Sequence, residues 1–292
     1  MSEREAQIAG LPIWQGPLRC EPLHGGLSNE SFAVTDSSGR YVVRFGADYP
    51  FHHVSREREV MAARAAHAAG LAPEVIFAAP GVMVSRFIEA ATYGPADLLA
   101  NLSRVTALLR RYHEAMPVEV SGPGYLFWVF HVVRDYARAL AGSRLAARLP
   151  EFLALNAELE AAQVPLPIVY GHHDLLPANL LDDGKRLWLI DFEYAGFGTP
   201  AFDLASLAQN GGFGEAEVEE LLTLYFDHEP DEALRRAQAA MQCATLLRES
   251  LWSLVSELHL DTPGIDYPAY SQENLTALEA ALAAYRAVFG KA

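Results

Sequence analysis

The sequence predicts an α+β fold of two lobes, a small β-rich N-terminal lobe over residues 1–90 and a larger, mainly helical C-terminal lobe over residues 91–292. Three observations support this prediction. Short β-type runs separated by turn residues fill the first ninety positions. From Pro95 onward, apolar residues recur at helical spacing. A strand-like island near residues 171–191 then interrupts the helices. Because clefts between lobes commonly bind ligands, we expect the functional site at this junction.

The N-terminal lobe is predicted from its runs of strand-forming residues and its turns. A helix is expected to begin after Ser55 as N-cap, to reach about Ala69 and to end at Gly70. The turn Asp36-Ser37-Ser38-Gly39 is typical of a hairpin. The predicted strands are Leu18–His24, Ser31–Thr35, Tyr41–Phe45, Val75–Phe77 and Val82–Phe87.

The C-terminal lobe is predicted from helical periodicity. A long helix is expected over Glu232–His259, and the turn Asp182-Asp183-Gly184 closes a hairpin inside the strand-like island. Four further helices are indicated by apolar residues on one face, at Leu98 to Tyr112, Val133 to Leu140, Val218 to Phe226 and Leu275 to Tyr285.

Composition and charge exclude several function classes. The chain has 292 residues and a formal net charge of −15, which argues against a nucleic-acid partner and against an anionic membrane surface. An acidic surface is compatible with a small cationic substrate. No apolar run is long enough to span a bilayer. The first residues lack a signal-peptide pattern, and the two cysteines, Cys20 and Cys243, have no metal spacing. We therefore expect a cytoplasmic protein with reduced thiols.

The stretch GHHDLLPANLL, residues 171–181, places three oxygen-bearing side chains where a hairpin brings them together. Asp174 precedes Asn179 by five residues, and Asp191 follows the apolar run Leu187–Ile190. Asn179 and Asp191 offer the hard oxygen ligands that Mg²⁺ prefers. Asp174 is then free to act as base toward an incoming hydroxyl, as in the phosphoryl transfer of protein kinases. Pro177 predicts an extended loop between them.

Two other interpretations of this stretch remain. Each of the three residues is also at home in a turn or at a strand end, where it would have a structural role. Alternatively, His172, His173 and Asp174 would belong to a metal phosphohydrolase that binds zinc or manganese through nitrogen. The phosphohydrolase would need its ligands on helices, whereas the apolar run before Asp191 predicts a strand.

The small lobe offers a second part of a phosphate site. Paired glycines in Gly25-Gly26-Leu27-Ser28-Asn29 allow backbone N–H groups to approach phosphate oxygens. Arg44 lies on a predicted strand, and Glu59 lies on the following helix within reach of it. Since the only lysines are Lys185 and Lys291, a cation from this lobe that binds phosphate must be an arginine.

The motifs GGLSN, YVVRFG, GHHDLLPANLL and LIDFEYAGFGTPAFDLASL resemble the choline/ethanolamine kinases, within the aminoglycoside-phosphotransferase superfamily of protein-kinase-like folds. The resemblance runs from about Leu23 to Tyr285. It implies an ATP- and Mg²⁺-dependent kinase. The residue roles that it implies are a catalytic base at Asp174, Mg²⁺ ligands at Asn179 and Asp191, a phosphate loop with Ser28 and Asn29, an Arg44–Glu59 pair at the ATP phosphates, an adenine hinge from Val84 through Phe87 to Ile88, and a structural Asp203.

The resemblance also implies an aromatic pocket for a small cationic alcohol. Tyr194 and Trp252 match family positions that bind the ammonium group, and such groups are recognised by aromatic faces. Glu249 stands where the family has a second tryptophan, and Asn210 stands where eukaryotic members have an acidic residue. Choline is the first expectation, and an aminoglycoside fits the motifs less well. These departures keep ethanolamine, thiamine or another hydroxylated amine open. A further alternative is a non-catalytic nucleotide-binding protein of the same fold.

We also expect a loop with Asp266, Tyr267 and Tyr270 to close the acceptor pocket.

Overall fold

The N-terminal lobe consists of a five-stranded antiparallel sheet and two α-helices. A computed structural model describes residues 2–23, 29–260 and 264–291. The sheet has the strand order β1-β2-β3-β5-β4. Its strands are β1 (Arg19–Leu23), β2 (Glu30–Asp36), β3 (Gly39–Phe45), β4 (Val75–Ala79) and β5 (Val82–Arg86). All five predicted strands are confirmed within a few residues, and His24, the predicted end of the first, lies outside the described residues.

Alternation along the strands gives this sheet two different faces. One face packs Val34, Tyr41, Val43 and Val84 into a small core with Ile8. Ile8 belongs to α1 (Glu3–Ala9), a helix that the sequence analysis did not predict. A capping box starts this helix, since the Ser2 hydroxyl accepts from the Glu5 N–H at 3.2 Å and the Glu5 carboxylate accepts from the Ser2 N–H at 2.6 Å. The other face of the sheet turns toward the C-terminal lobe.

Helix α2 (Arg56–Ala68) follows the sheet strand β3, as predicted. Ser55 is its N-cap residue, but its side chain makes no capping hydrogen bond. The Arg56 N–H instead donates to the Asp48 carboxylate at 2.7 Å. The Asp48 carboxylate, from a nearby loop, therefore accepts a hydrogen bond from the first turn of the helix, which is the role that the sequence predicted for Ser55.

The C-terminal lobe is helical around two small sheets. The remaining helices are α3 (Pro95–Ala100), α4 (Leu102–Glu119), α5 (Val129–Ala139), α6 (Leu149–Ala161), α7 (Ala201–Gly211), α8 (Glu215–Phe226), α9 (Glu232–His259) and α10 (Tyr267–Phe289). The bounds predicted for the long helix are those of α9, which packs on α5, α6, α7 and α10. The two-lobed α+β architecture is confirmed.

The strand-like island forms the floor of the cleft. Its strands are β6 (Ala91–Thr92), β7 (Val169–Gly171), β8 (Leu180–Asp182), β9 (Leu187–Leu189) and β10 (Gly196–Gly198). Strands β8 and β9 form the predicted hairpin, β8 also pairs with β6, and β7 pairs with β10. The loop predicted as extended around Pro177 contains a short 3₁₀ turn, Pro177–Asn179. Within the three described ranges, no helix combines the length and apolarity needed to cross a bilayer.

Candidate active site

A cleft of about 700 Å³ separates the two lobes and gathers most of the predicted site residues. Its walls include Asn29, Arg44, Phe87, Asp174, Asn179, Asp191, Tyr194, Asn210, Glu249 and Trp252. These residues come from β3, from the segments just before β2 and just after β5, from the island and the residues that follow it, and from α7 and α9, so the fold brings together positions more than 200 residues apart in the chain. Ser28, the other predicted phosphate-loop residue, lies outside the described residues.

The loop that carries Asp174 is fixed from below by Asp203 at the start of α7. The Asp203 carboxylate is fully buried and accepts from the backbone N–H groups of His172 and His173, both at 2.7 Å. It also bonds the His113 ring Nε2 at 2.8 Å. Burial alone would raise the pKa of Asp203, but the His113 hydrogen bond and the neighbouring histidines lower it well below its usual range. A charged, three-coordinated carboxylate therefore positions the backbone that leads into Asp174.

The two histidines of this loop have structural contacts. His172 Nε2 lies 3.0 Å from the Ile190 carbonyl oxygen, and His173 Nδ1 lies 3.2 Å from that of Tyr194. His173 adopts a left-handed backbone with φ 61° and stacks on Phe127 at 4.1 Å. In the described part of the chain, no cluster of three or more His, Cys, Asp or Glu residues suits a metal ion. The geometry thus gives no support to the phosphohydrolase interpretation.

Asp174 and Asn179 are hydrogen-bonded to each other in the loop that follows β7. The Asn179 side-chain amide donates to the Asp174 carbonyl at 2.8 Å and to its carboxylate at 3.3 Å. Burial raises the pKa of Asp174 well above its usual value, and the negative charges of Asp191 and Glu193 raise it further. Because both hydrogen bonds use the side-chain nitrogen of Asn179, its side-chain oxygen remains available to a cation.

Asp191 directly follows the hairpin strand β9 and Ile190, and it has a left-handed backbone with φ 68°. Its carboxylate pairs with Arg44 Nη1 at 2.5 Å, and Arg44 also forms an ion pair with buried Glu59. Burial would raise the pKa of Asp191, but the charge and hydrogen bond of Arg44 outweigh burial and lower it. The predicted strand cation and helix carboxylate thus lie together beside the predicted metal carboxylate.

Glu193 is a site residue whose role the sequence analysis missed. Arg56 Nη1 bonds Glu59 at 2.7 Å and Glu193 at 2.9 Å, which links helix α2 to the island. The Asn29 amide lies 3.5 Å from the same Glu193 oxygen. Burial and then the charge of Asp191 raise the pKa of Glu193. A carboxylate two positions after Asp191 in the motif IDFEY was the available signal.

Two donors near Asp174 suit a Mg²⁺ ion that takes its other ligands from phosphates and water. Besides burial, the negative charges of Asp191 and Glu193 raise the pKa of Asp174, and the charge of Asp191 raises the pKa of Glu193. A cation would offset these negative charges. Asn179 and Asp191 offer carboxylate and amide oxygens, which are the hard ligands of Mg²⁺.

The segment predicted to contact adenine differs from the prediction at one position. Val84 is fully buried in the small core with Val43, so its side chain does not line the cleft. Its neighbours on β5, Met83 and Ser85, do line it, because successive side chains on a strand point to opposite faces. Phe87 lines the cleft as predicted, and the Arg40 guanidinium carbon lies 3.8 Å from the centre of its ring.

The acceptor end holds the predicted aromatic residues in a hydrogen-bonded arrangement. The Trp252 indole N–H donates to the Tyr194 hydroxyl at 2.9 Å. His52 stacks on the Trp252 ring at 5.0 Å with an interplanar angle of 21°. The Asn210 side-chain amide donates to the Leu175 carbonyl at 3.1 Å, so it supports the loop that carries Asp174.

Glu249 has partners on both carboxylate oxygens. The Tyr270 hydroxyl donates to one oxygen and Arg248 Nη1 donates to the other, each at 2.8 Å. Tyr270 lies on the first turn of α10 and not in the predicted closing loop, because Asp266 caps that helix through the Ala269 N–H at 2.9 Å. Arg248 was missed, since it precedes Glu249 in a helix whose period alone did not assign it to the cleft.

Comparisons with known proteins agree with this geometry. The profile of the phosphotransferase enzyme family matches residues 19–242. The chain belongs to this family. A choline/ethanolamine kinase family protein from Mesorhizobium loti has a similar structure, with 31% identity, a TM-score of 0.79 and coverage of 96% of this chain and 94% of that one. The predicted resemblance to choline/ethanolamine kinases, and with it the protein-kinase-like fold, is confirmed.

The chain is also similar to one bacterial and one plant protein. Protein LicA from Haemophilus influenzae is 27% identical over 269 residues, which is 87% of this chain and 77% of that protein. A probable ethanolamine kinase from Arabidopsis thaliana is 26% identical over 210 residues, 64% of this chain and 54% of the plant protein. The chain thus spans about half the length of that plant relative.

Proposed function

We propose that this protein is an ATP- and Mg²⁺-dependent kinase that phosphorylates the hydroxyl of a small amino alcohol of the choline and ethanolamine class. The observation that carries the proposal is the placement of Asp174, Asn179 and Asp191 in one cleft, with Arg44 paired to Asp191. A protein that only bound a nucleotide would need no half-buried carboxylate beside the metal ligands. The relatives named as choline and ethanolamine kinases support the acceptor class.

In this proposal the two lobes hold the two substrates. The cleft-facing side chains of β3 and β5 and the segment after β5 contact the nucleotide, and Arg44 faces its phosphates. A structural neighbour of 20% identity, LicA, has been solved in complex with AMP, which supports nucleotide binding by a protein of this fold. Asn179 and Asp191 would hold Mg²⁺, whose chemistry is to neutralise charge on the phosphate oxygens.

Asp174 would orient the acceptor hydroxyl and accept its proton. Asp203 fixes the backbone before it, and the Asn179 amide fixes its carboxylate. Such positioning accounts for most of the catalysis in phosphoryl transfer, because the protein contributes little covalent chemistry. Tyr194, Trp252 and Tyr270 would enclose the carbon and nitrogen part of the acceptor.

The test is ADP release from ATP and Mg²⁺ by the purified chain, with choline, ethanolamine, thiamine and an aminoglycoside in separate reactions. We expect acceptor-dependent turnover on an amino alcohol that falls by at least about 10³-fold in Asp174→Asn. The matched control is Asp135→Asn, a half-exposed carboxylate on α5 outside the cleft, which should retain turnover. Nucleotide and Mg²⁺ binding without turnover on any hydroxyl compound would instead support a non-catalytic protein.

A further inference from the structure

Arg248 is a buried arginine at the acceptor end of the cleft. The residue is 5% exposed and lines the cleft from α9. Its guanidinium carbon lies 4.6 Å from the centre of the Tyr194 ring. A buried arginine is costly unless it is paired, so its partners show what the pocket is built to bind.

Only one side of this guanidinium is satisfied by the protein. Nη1 donates to Glu249 at 2.8 Å. Nε and Nη2 are buried and have no hydrogen-bond partner among the residues that the structure describes. These two nitrogens form one edge of the planar group, and their N–H groups point in parallel. This edge matches the two oxygens of a carboxylate, which arginine binds through paired hydrogen bonds.

The same pocket is poorly suited to a bare ammonium cage. Both oxygens of Glu249 are already engaged, by Tyr270 and by Arg248. The guanidinium covers one face of Tyr194, and His52 covers one face of Trp252. A quaternary ammonium group binds to open aromatic faces, and here it would also meet the positive charge of Arg248.

Resting on the proposed kinase activity, we propose that the acceptor is a zwitterionic amino alcohol whose carboxylate binds the Nε–Nη2 edge of Arg248. The class is that of hydroxy amino acids, of which serine is ethanolamine with one added carboxylate. The hydroxyl oxygen forms a bond to the γ-phosphorus, the bond from that phosphorus to the bridging oxygen of ADP breaks, and the hydroxyl proton passes to Asp174.

The test uses acceptor pairs that differ only in the carboxylate, namely ethanolamine with L-serine and 3-aminopropan-1-ol with L-homoserine. The measurement is kcat/KM from ADP release. We expect the carboxylated member of a pair to be preferred by at least about tenfold, because a site with unpaired donors discriminates against an analogue that lacks the acceptor. Arg248→Lys keeps the charge but loses the paired edge, so it should remove most of this preference through KM. Arg144→Lys, a half-exposed arginine outside the cleft, should keep it.

Two results overturn the proposal while the kinase activity stands. One is a wild-type preference for the amine without the carboxylate. The other is an equal loss of kcat on both members of each pair in Arg248→Lys, which would assign the guanidinium to the transferred phosphoryl group. If no acceptor gives ADP, the proposed activity fails, and titration calorimetry with L-serine and ethanolamine decides the binding claim. Tighter binding of L-serine that Arg248→Lys abolishes supports it, and equal or absent binding rejects it.

Discussion

Replacing Asp203 by asparagine should destabilise the whole protein as well as its catalytic loop. The carboxylate makes three hydrogen bonds, with the backbone N–H groups of His172 and His173 and with the His113 ring. All of them are buried, and Asp203 itself is fully buried. Asparagine keeps one oxygen and presents an amide N–H₂ group to a donor that needs an acceptor. The substitution therefore loses the charge and leaves at least one buried N–H unpaired.

The cost follows from the number of bonds. A hydrogen bond to a charged group contributes about 1.5–3 kcal/mol, and an unpaired buried donor costs about 1–3 kcal/mol more. We expect Asp203→Asn to lower the free energy of unfolding by about 3–5 kcal/mol, measured by urea denaturation at pH 7. Asp135→Asn removes a half-exposed carboxylate that pairs with His53 and Arg138, so it should cost at most about 1 kcal/mol. Equal, small costs for the two variants would refute the reasoning.

Three further predictions concern the cleft and its surroundings. A Cβ at Gly46 would lie 2.4 Å from the Asn29 amide oxygen, so Gly46→Ala should lower the free energy of unfolding by about 1–3 kcal/mol and raise the KM for ATP. The control is Gly142→Ala, where a Cβ would have nothing within 4 Å, and it should change neither quantity. Equal effects of the two variants in urea denaturation and in kinetics would contradict the contact with Asn29. Burial, with neighbouring positive charges, lowers the pKa of His52 to about 3. Below about pH 6.5 the unfolded chain therefore binds a proton at His52 that the native chain does not bind. The free energy of unfolding should fall by up to about 1.4 kcal/mol for each unit by which the pH decreases. His52→Gln should flatten the dependence of the urea midpoint between pH 6.5 and 5, and an unchanged slope would contradict this origin. Asp174→Asn removes a half-buried carboxylate whose pKa is raised by the charges of Asp191 and Glu193 as well as by burial, so the melting temperature should stay level or rise while turnover is lost. A lower melting temperature would indicate a structural role instead.

The catalytic half of the cleft was predictable because its residues lie close together in the chain. Asp174 and Asn179 are five positions apart, and the hairpin between Asn179 and Asp191 is marked by its own turn residues. Local spacing and turn chemistry therefore suffice to predict that these side chains meet. Arg44 and Glu59 were predictable for a related reason, because β3 and α2 are consecutive elements joined by a short connection within one small lobe.

The residues that the sequence analysis missed act across long separations in the chain. Glu193 meets Arg56 over 137 positions, and no local pattern records that contact. The backbone between Gly46 and helix α2 likewise uses Asp48 as a cap in place of Ser55, since only the folded loop brings Asp48 to the helix start. Val84 was assigned to the cleft by its place in the segment, but strand alternation turns its side chain to the opposite face.

Helix α9 carries residues of both kinds, namely those that the sequence predicted for the cleft and one that it missed. The period of α9 predicted a long amphipathic helix, and the family resemblance assigned Trp252 and Glu249 to the pocket. The consequence of a carboxylate at position 249 depends on its neighbours, which the sequence did not rank. Arg248 neutralises it and Tyr270 occupies its other oxygen, so the departure from the family does not supply a free anion for a cation. Instead, Glu249 holds the Arg248 guanidinium, whose Nε–Nη2 edge is unpaired. The pocket therefore offers a positive charge where a free Glu249 would have offered a negative one. This is why the acceptor that we propose is an amino alcohol with a carboxylate and not choline.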